Sequence, residues 1–182
     1  FGTLGGNLAN ASPVGDTIPL LMVLNASLWL QSRLELRHIP LKDFFLAYRK
    51  TALKKGEVIK EIIIPPLTED TYVKTVKSAK RQSVDISSVI TAVKIEYKNG
   101  RIINSALAIG GVASTPVLSK KLPELLKGKQ IKALDPAAIV QEVASEFEPL
   151  TDVRGTALFR RELIRNHLIL YLQELQEAEN EL

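Results

Sequence analysis

VITAVKIEYKNGRIINSALAIG, from Val89 to Gly110, decides the fold. Two runs rich in β-branched residues, Val89–Tyr97 and Ile102–Gly110, flank Lys98-Asn-Gly-Arg101. Asn-Gly supplies the positive-φ positions of a tight hairpin, so the two runs are expected to pair antiparallel. Upstream, Thr71–Lys80 alternates Tyr72, Lys74 and Val76 against Val73, Thr75 and Lys77, the period of a half-buried strand. Together these predict a three-stranded antiparallel meander.

Downstream the pattern turns helical. Pro116–Leu126 is expected to be one helix, ended by Gly128. Pro136–Phe147 is a second, with Asp135 as its cap and proline at its first position. Val153–Gln176 is a third, with Ala157, Ile164, Leu168, Tyr171 and Leu175 along one stripe and Arg154, Arg161, Glu162 and Arg165 free to face out. Strands followed by helices predict an α+β fold, a three-stranded sheet packed with about three helices.

Before the sheet, Thr3–Asp16 reads as loop. Asp16 is placed to cap a helix over Thr17–Leu24, and Ser27–Gln31 and Leu34–Ile39 read as strands. Leu41–Leu53 has the spacing of a helix or helical turns, stopped by Gly56. Val58–Ile64 reads as a strand ending at Pro65-Pro66. The stretch Pro65–Asp70, with two prolines and two acids, is the best internal boundary. It divides residues 1–66 from 71–182.

Composition narrows the chemistry. Of 182 residues, 46% are hydrophobic, enough for a packed core. No apolar run is long enough to span a membrane, and Phe1 follows no charged leader, so no signal peptide is expected and a cytoplasmic location is. Without cysteine, disulfides and thiolate ligation of iron–sulfur clusters on this chain are excluded. Two distant histidines, His38 and His167, argue against a histidine metal site. The net charge of +4 fits either a mildly basic surface or attraction to phosphates. Aromatics at 5%, none interleaved with the cations, give no platform for stacking bases.

The string TLGGNLANASPVGD, Thr3–Asp16, gathers small polar groups that no core needs. Gly5-Gly6 is expected to adopt positive φ and expose N–H groups as a concave anion site suited to a pyrophosphate. Thr3, Asn7, Asn10 and Ser12 add hydrogen-bonding groups, and ionised Asp16 accepts from a hydroxyl or ring N–H. The plainer alternative is a glycine turn into a capped helix.

The longer string TLGGNLANASPVGDTIP resembles the second flavin-contacting segment of the FAD-binding medium subunit of molybdenum hydroxylases, the xanthine dehydrogenase and carbon monoxide dehydrogenase family. The resemblance continues in LKDFFLAYRKTALKKGEVIKEIIIP (Leu41–Pro65), KSAKRQSVDIS (Lys77–Ser87), GGVASTPVLS (Gly110–Ser119) and RGTALFRRELIRN (Arg154–Asn166), in order. It implies that Thr3, Leu4, Gly5, Gly6 and Asn7 touch FAD, with Asn10 and Asp16 as further polar contacts. It puts Ile59 beside the flavin system, where an ordinary strand-core residue is the alternative. It puts Lys77 near the flavin, where a solvated strand residue is the alternative. Arg81 and Asp85 run near the ring in relatives, or form a surface ion pair or cap; Arg49 and Lys50 hold a helix end.

The same resemblance implies an upstream subdomain, absent here, whose glycine loop cradles the FAD pyrophosphate, so the chain is expected to be a fragment. It implies that a molybdopterin subunit hydroxylates the substrate, by default xanthine or another purine. Electrons then pass through two [2Fe–2S] clusters to FAD and on to NAD or another acceptor. Molybdopterin and the clusters belong to partner chains or domains; this chain supplies no acid, base or nucleophile. The rival expectation is a non-catalytic basic module that docks an acidic partner through Lys74, Lys77, Lys80 and Arg81.

Overall fold

The computed structural model describes residues 2–81 and 85–181. The N-terminal part contributes α1 (Leu4–Asn10), α2 (Ile18–Val23), β1 (Ser27–Gln31), β2 (Leu36–Pro40), β3 (Phe45–Ala47), β4 (Lys50–Thr51) and β5 (Val58–Ile63). The remainder contributes β6 (Thr71–Ala79), β7 (Ser87–Lys98), β8 (Arg101–Gly110), β9 (Val117–Leu118), α3 (Lys121–Leu126), α4 (Pro136–Ala144) and α5 (Ala157–Glu181).

The β7–β8 hairpin forms as the sequence predicts. Asn99 and Gly100 both take positive φ, 51° and 68°, and Lys98 pairs with Arg101. The α+β class and the antiparallel pairing of β6, β7 and β8 hold, and β9 adds a short fourth strand in the order β6-β7-β8-β9. That strand corrects the expected helix over Pro116–Leu126. Val117 and Leu118 pair with Ile109 and Ala108, and the helix starts only after Ser119, whose Oγ accepts from the Leu122 N–H at 3.1 Å. The long helix likewise begins at Ala157, where Thr151 Oγ1 accepts the first amide.

The sheet is the middle layer. One face carries Val89, Val93, Ile95, Leu107 and Ile109 against Leu122, Val140, Ile164, Leu168 and Leu172 of the helices. Each such buried side chain contributes about 1.5–3 kcal/mol. The surface pair Arg165–Glu162 on α5 contributes a few tenths of that, roughly 0.2–0.5 kcal/mol. Packing, not surface charge, therefore fixes α5. The opposite face is made of small residues where it meets α2. Ala92 and Ala108 join Leu8, Ile18, Leu21, Met22, Leu28 and Phe44 in a second core. At Gly110 a side chain would meet the Pro13 carbonyl at 2.9 Å, so only glycine lets the loop before α2 lie this close.

Beyond α2, β2-β1-β5 form a second antiparallel sheet, pinned by a two-pronged Arg37–Glu57 pair with both bonds at 2.8 Å. Three expectations for this part are corrected. Thr3–Asp16 is not all loop, because Leu4–Asn10 is helical; Thr3 Oγ1 accepts from Gly6 N–H at 3.0 Å and Leu8 is buried in the second core. Asp16 caps no helix: Thr17 precedes α2, and Asp16 is bonded elsewhere. Leu41–Leu53 is one 3-10 turn, Leu41–Asp43, followed by the β3–β4 hairpin, which reverses through Arg49 at φ 51°. The apolar spacing serves both halves of that hairpin, since Phe45, Ala52 and Leu53 all pack on the second core while Leu46 and Tyr48 are exposed. Arg49 and Lys50 therefore hold a β-turn rather than a helix end.

Candidate functional site

A cleft of about 530 Å³ opens where the two parts of the chain meet. Its walls are the loop joining α1 to α2, the β3–β4 turn, the loop after β8 and the turn before α5. The α1–α2 loop is held by backbone: Gly111 N–H donates to the Pro13 carbonyl at 2.9 Å. Asn7, Asn10 and Asp16 all line the cleft. Asn7 Oδ1 accepts from Thr17 Oγ1 at 2.8 Å, which leaves its NH₂ as a donor for a ligand.

Lys77 sits on the sheet face opposite Val76, as the strand period predicts, and so points toward the N-terminal part. Its Nζ lies 2.5 Å from Asp16 Oδ2. Ser87 Oγ donates to the other Asp16 oxygen. Lys77 lines an adjoining groove with Ser78, Lys80 and Phe159. The structure thus joins Asp16 and Lys77, 61 positions apart in sequence.

Of the remaining expected residues, Asp85 lines the cleft, whereas Thr3, Leu4, Gly5, Gly6, Ile59 and Arg81 lie off its wall. Thr3, Leu4, Gly5 and Gly6 form the cap and first turn of α1. Neither glycine has positive φ, which corrects the expected nest of amides. What Gly6 provides is room for the cap, since a Cβ there would lie 2.9 Å from Thr3 Oγ1. Ile59 pairs with Leu30 and packs on the second core, where an ordinary strand residue sits. Arg81 and Asp85 close on each other: the carboxylate accepts from Arg81 N–H and Ile86 N–H, both at 2.9 Å. Partial burial works against the Asp85 charge, but these amides outweigh it and hold its pKa below the usual carboxylate value.

Sequence reasoning missed the cleft floor. Arg160 is 2% exposed and donates to the carbonyls of Ser88 and Gly111 and to Asp152. Its Nε is buried without a partner among the described residues. For Asp152, partial burial again opposes the charge, and the Arg154 amide and the Arg160 guanidinium overcome it, so its pKa is lowered. The signal was helical phase. Arg160 falls on the same stripe as Ile164 and Leu168, so its charge had to be buried and paired.

The cations proposed for an acidic partner are engaged. Lys74 pairs with Glu174, Lys77 with Asp16 and Arg81 with Asp85, and Lys80 donates to the Val153 carbonyl.

Residues 74–175 match the family described as "CO dehydrogenase flavoprotein C-terminal domain". The chain belongs to that flavoprotein family. Residues 1–67 match "FAD binding domain in molybdopterin dehydrogenase". The flavoprotein is 32% identical over 165 residues to the glyceraldehyde dehydrogenase medium chain of Sulfolobus acidocaldarius, covering 91% of this chain and 58% of that one. It is 35% identical to a nicotinate hydroxylase of Emericella nidulans, with 88% of this chain and 12% of that protein covered. The xanthine dehydrogenase/oxidase of Gallus gallus is 32% identical, with 97% and 14% covered. Among solved structures, a carbon monoxide dehydrogenase from Hydrogenophaga pseudoflava that lacks the Mo-pyranopterin moiety of its cofactor superposes with a TM-score of 0.88 at 25% identity, covering 98% of this chain and 61% of that one. Quinoline 2-oxidoreductase from Pseudomonas putida gives 0.86 at 23% identity, with the same coverage, which shows the fold. The chain thus spans less than two thirds of the length of these relatives.

It is an FAD-binding flavoprotein domain of the xanthine and carbon monoxide dehydrogenase family, whose members are oxidoreductases. The cleft suits one side of a flavin nucleotide. Asn7 and Asn10 offer amide donors, and Asp16 offers an acceptor. Pro13, Ile86 and Tyr48 offer apolar wall, and Gly15 and Gly111 leave backbone bare. No helix among the described residues is long and apolar enough to cross a membrane.

Proposed function

We propose that this chain forms one wall of the flavin site of a xanthine dehydrogenase-like molybdenum hydroxylase. FAD there relays electrons from [2Fe–2S] clusters to NAD or another acceptor. In this reading Asn7, Asn10 and Asp16 contact or border the nucleotide, while Thr3, Leu4, Gly5 and Gly6 shape the segment that carries them. Ile59 backs the same layer from the second core. Lys77 supplies a cation that stabilises negative charge on the reduced ring. Bound FAD supplies the hydride and one-electron chemistry.

Residues 1–66 act as the second FAD-binding subdomain and residues 71–182 as the C-terminal domain of the subunit. Its partners are a molybdopterin subunit and a [2Fe–2S] subunit, assembled in the cytoplasm. The relatives' names specify glyceraldehyde, nicotinate, xanthine and quinoline, chemically unlike substrates served by one flavoprotein fold. Substrate choice therefore rests outside this stretch, on another domain or chain, with a purine as the default here.

The observation that carries the reading is the convergence of Asn7, Asn10 and Asp16 on one cleft in a chain of this family. Titration of FAD followed by flavin fluorescence tests it. Saturable quenching that weakens in Asn7→Ala and Asn10→Ala is expected; quenching that tracks salt alone would instead favour non-specific anion binding.

A further inference from the structure

We propose that Ser78 is an activated nucleophile, an acyl acceptor in the groove between β6 and α5, with His167 as its general base. The proposal is independent of the flavin reading. It departs from the expectation that the chain holds no base or nucleophile.

His167 and Tyr171, one turn apart on α5, reach across to Ser78 on β6 and Thr91 on β7. The contacts run from Ser78 Oγ to His167 Nε2 at 2.8 Å, from His167 Nδ1 to Thr91 Oγ1 at 3.0 Å, and from Thr91 Oγ1 to Tyr171 OH at 2.5 Å. Tyr171 ends the series by donating to the Thr91 carbonyl at 3.1 Å. That last bond orients the others. A phenol has one proton, so Tyr171 accepts from Thr91 Oγ1. Thr91 has then used its own proton and accepts from Nδ1–H. Nε2 is left with a lone pair, to which the Ser78 hydroxyl donates. This is the tautomer that a serine nucleophile needs, with a threonine where a hydrolase places a carboxylate.

The pair opens to a ligand. Ser78 is half-buried and lines a groove of about 560 Å³. Phe159 and Leu163 give that groove an apolar wall, and Lys80 and Arg81 give it a positive rim. Such a groove suits an ester with an apolar stem and an anionic end. Burial lowers the His167 pKa to about 4, so Nε2 is unprotonated at neutral pH but weakly basic. The imidazolium gains no carboxylate partner, an absence worth about 10⁴ in the rate of a serine hydrolase. Only esters with a good leaving group are therefore within reach.

In the step, Ser78 Oγ bonds to the acyl carbon as its proton passes to Nε2. The bond from that carbon to the leaving oxygen then breaks, and the oxygen takes the proton from Nε2. Water later hydrolyses the Ser78 ester, releasing the acid and restoring the hydroxyl.

The experiment mixes the full chain with p-nitrophenyl butyrate and with the anionic p-nitrophenyl monoester of glutaric acid. It follows nitrophenolate release and the mass of the peptide that contains Ser78. A burst of one equivalent per chain is expected, with the acyl mass on Ser78 and the anionic ester reacting faster at low salt. Ser78→Ala should abolish the burst. His167→Gln should slow it at least about tenfold, the loss of a weak general base. Thr91→Val should slow it too, and Thr91→Ser should restore it, because the hydroxyl holds the Nδ1 proton; a merely structural threonine would leave the rate of the folded Val variant unchanged. Ser78→Ala removes a single hydroxyl from a half-buried position, so its arm stands even if His167→Gln folds poorly. A burst that survives in Ser78→Ala, acyl mass on lysines alone, or equal rates in wild type and folded His167→Gln would overturn the proposal.

Discussion

Arg160 donates to the carbonyl of Gly111 at 2.8 Å, tying the long C-terminal helix to the loop that closes the central sheet. The same guanidinium reaches Ser88 at the start of β7 and Asp152 in the turn before α5. Three chain segments at or next to the cleft therefore depend on one side chain. Arg160→Met is expected to cost about 2–3 kcal/mol, mainly from carbonyls left without donors. The larger loss of roughly 3–5 kcal/mol typical of a broken buried pair is not expected, because Asp152 is half-exposed and can be hydrated. Urea denaturation measures this, and a change under half a kilocalorie, about the scatter of a neutral surface substitution, would show the contacts to be incidental.

Gly111 itself has φ +91°, and a Cβ there would lie 2.5 Å from the Ser88 carbonyl. Gly111→Ala combines a left-handed strain with a backbone clash. A loss of about 1–3 kcal/mol is expected from such a position. The effect should extend to FAD affinity, since the displaced loop also carries the Pro13 contact. Wild-type stability with unchanged flavin binding would contradict this.

His167 is 4% exposed and lies between Ser78 and Thr91, with Tyr171 bonded to the same threonine. Burial lowers its pKa to about 4. A depressed histidine means that the unfolded chain takes up the proton first as pH falls. The neutral form's contribution is thus whole above the unfolded value near 6.5 and is lost progressively toward pH 4, about 3 kcal/mol in all. Denaturation midpoints between neutral pH and pH 5 should fall more steeply for the wild type than for His167→Gln. Parallel profiles would remove His167 from the acid response.

In the full-length subunit, Gly6→Val should reduce flavin retention more than Lys77→Ala. The reason is the cap on α1: a branched side chain collides with Thr3 Oγ1 and disturbs the turn that places Asn7 and Asn10. Loss of Lys77 removes a charge that water partly replaces. The flavin-to-protein absorbance ratio of each variant, prepared in the same FAD excess, decides the order, and the reverse ranking would make α1 incidental to binding.

The chain by itself is expected to be purified without bound flavin. Its cleft is open, and the glycine pair is occupied as helix rather than as an anion cradle. Near-stoichiometric yellow protein after purification would show that this wall alone suffices.

The hairpin at Asn99-Gly100 was legible because local chemistry dictates it. The side of the sheet on which Lys77 lies was legible too, because a strand period of two leaves no choice. The helix at Leu4–Asn10 was not. Two glycines cost about 1 kcal/mol each in helix propensity, and only burial of Leu8 against the second core reverses the local preference. The β3–β4 hairpin was misread because its apolar spacing suits a helix, while its turn at Arg49 needs a left-handed residue that nothing in arginine announces. At the site, Asn7, Asn10 and Asp16 were visible through an unusual density of polar groups. The Asp16–Lys77 contact was not, since no pattern within either segment refers to the other.

The small residues on one face of the central sheet have a consequence for cooperativity. Because Ala92, Ala108 and Gly110 are shaped to receive α2 and its preceding loop, the break in composition at Pro65–Asp70 is not a plane of mechanical weakness. Amides of α2 and of β7 should exchange with deuterium in the same opening event, so the two stretches of sequence are expected to melt and to re-form as one foldon.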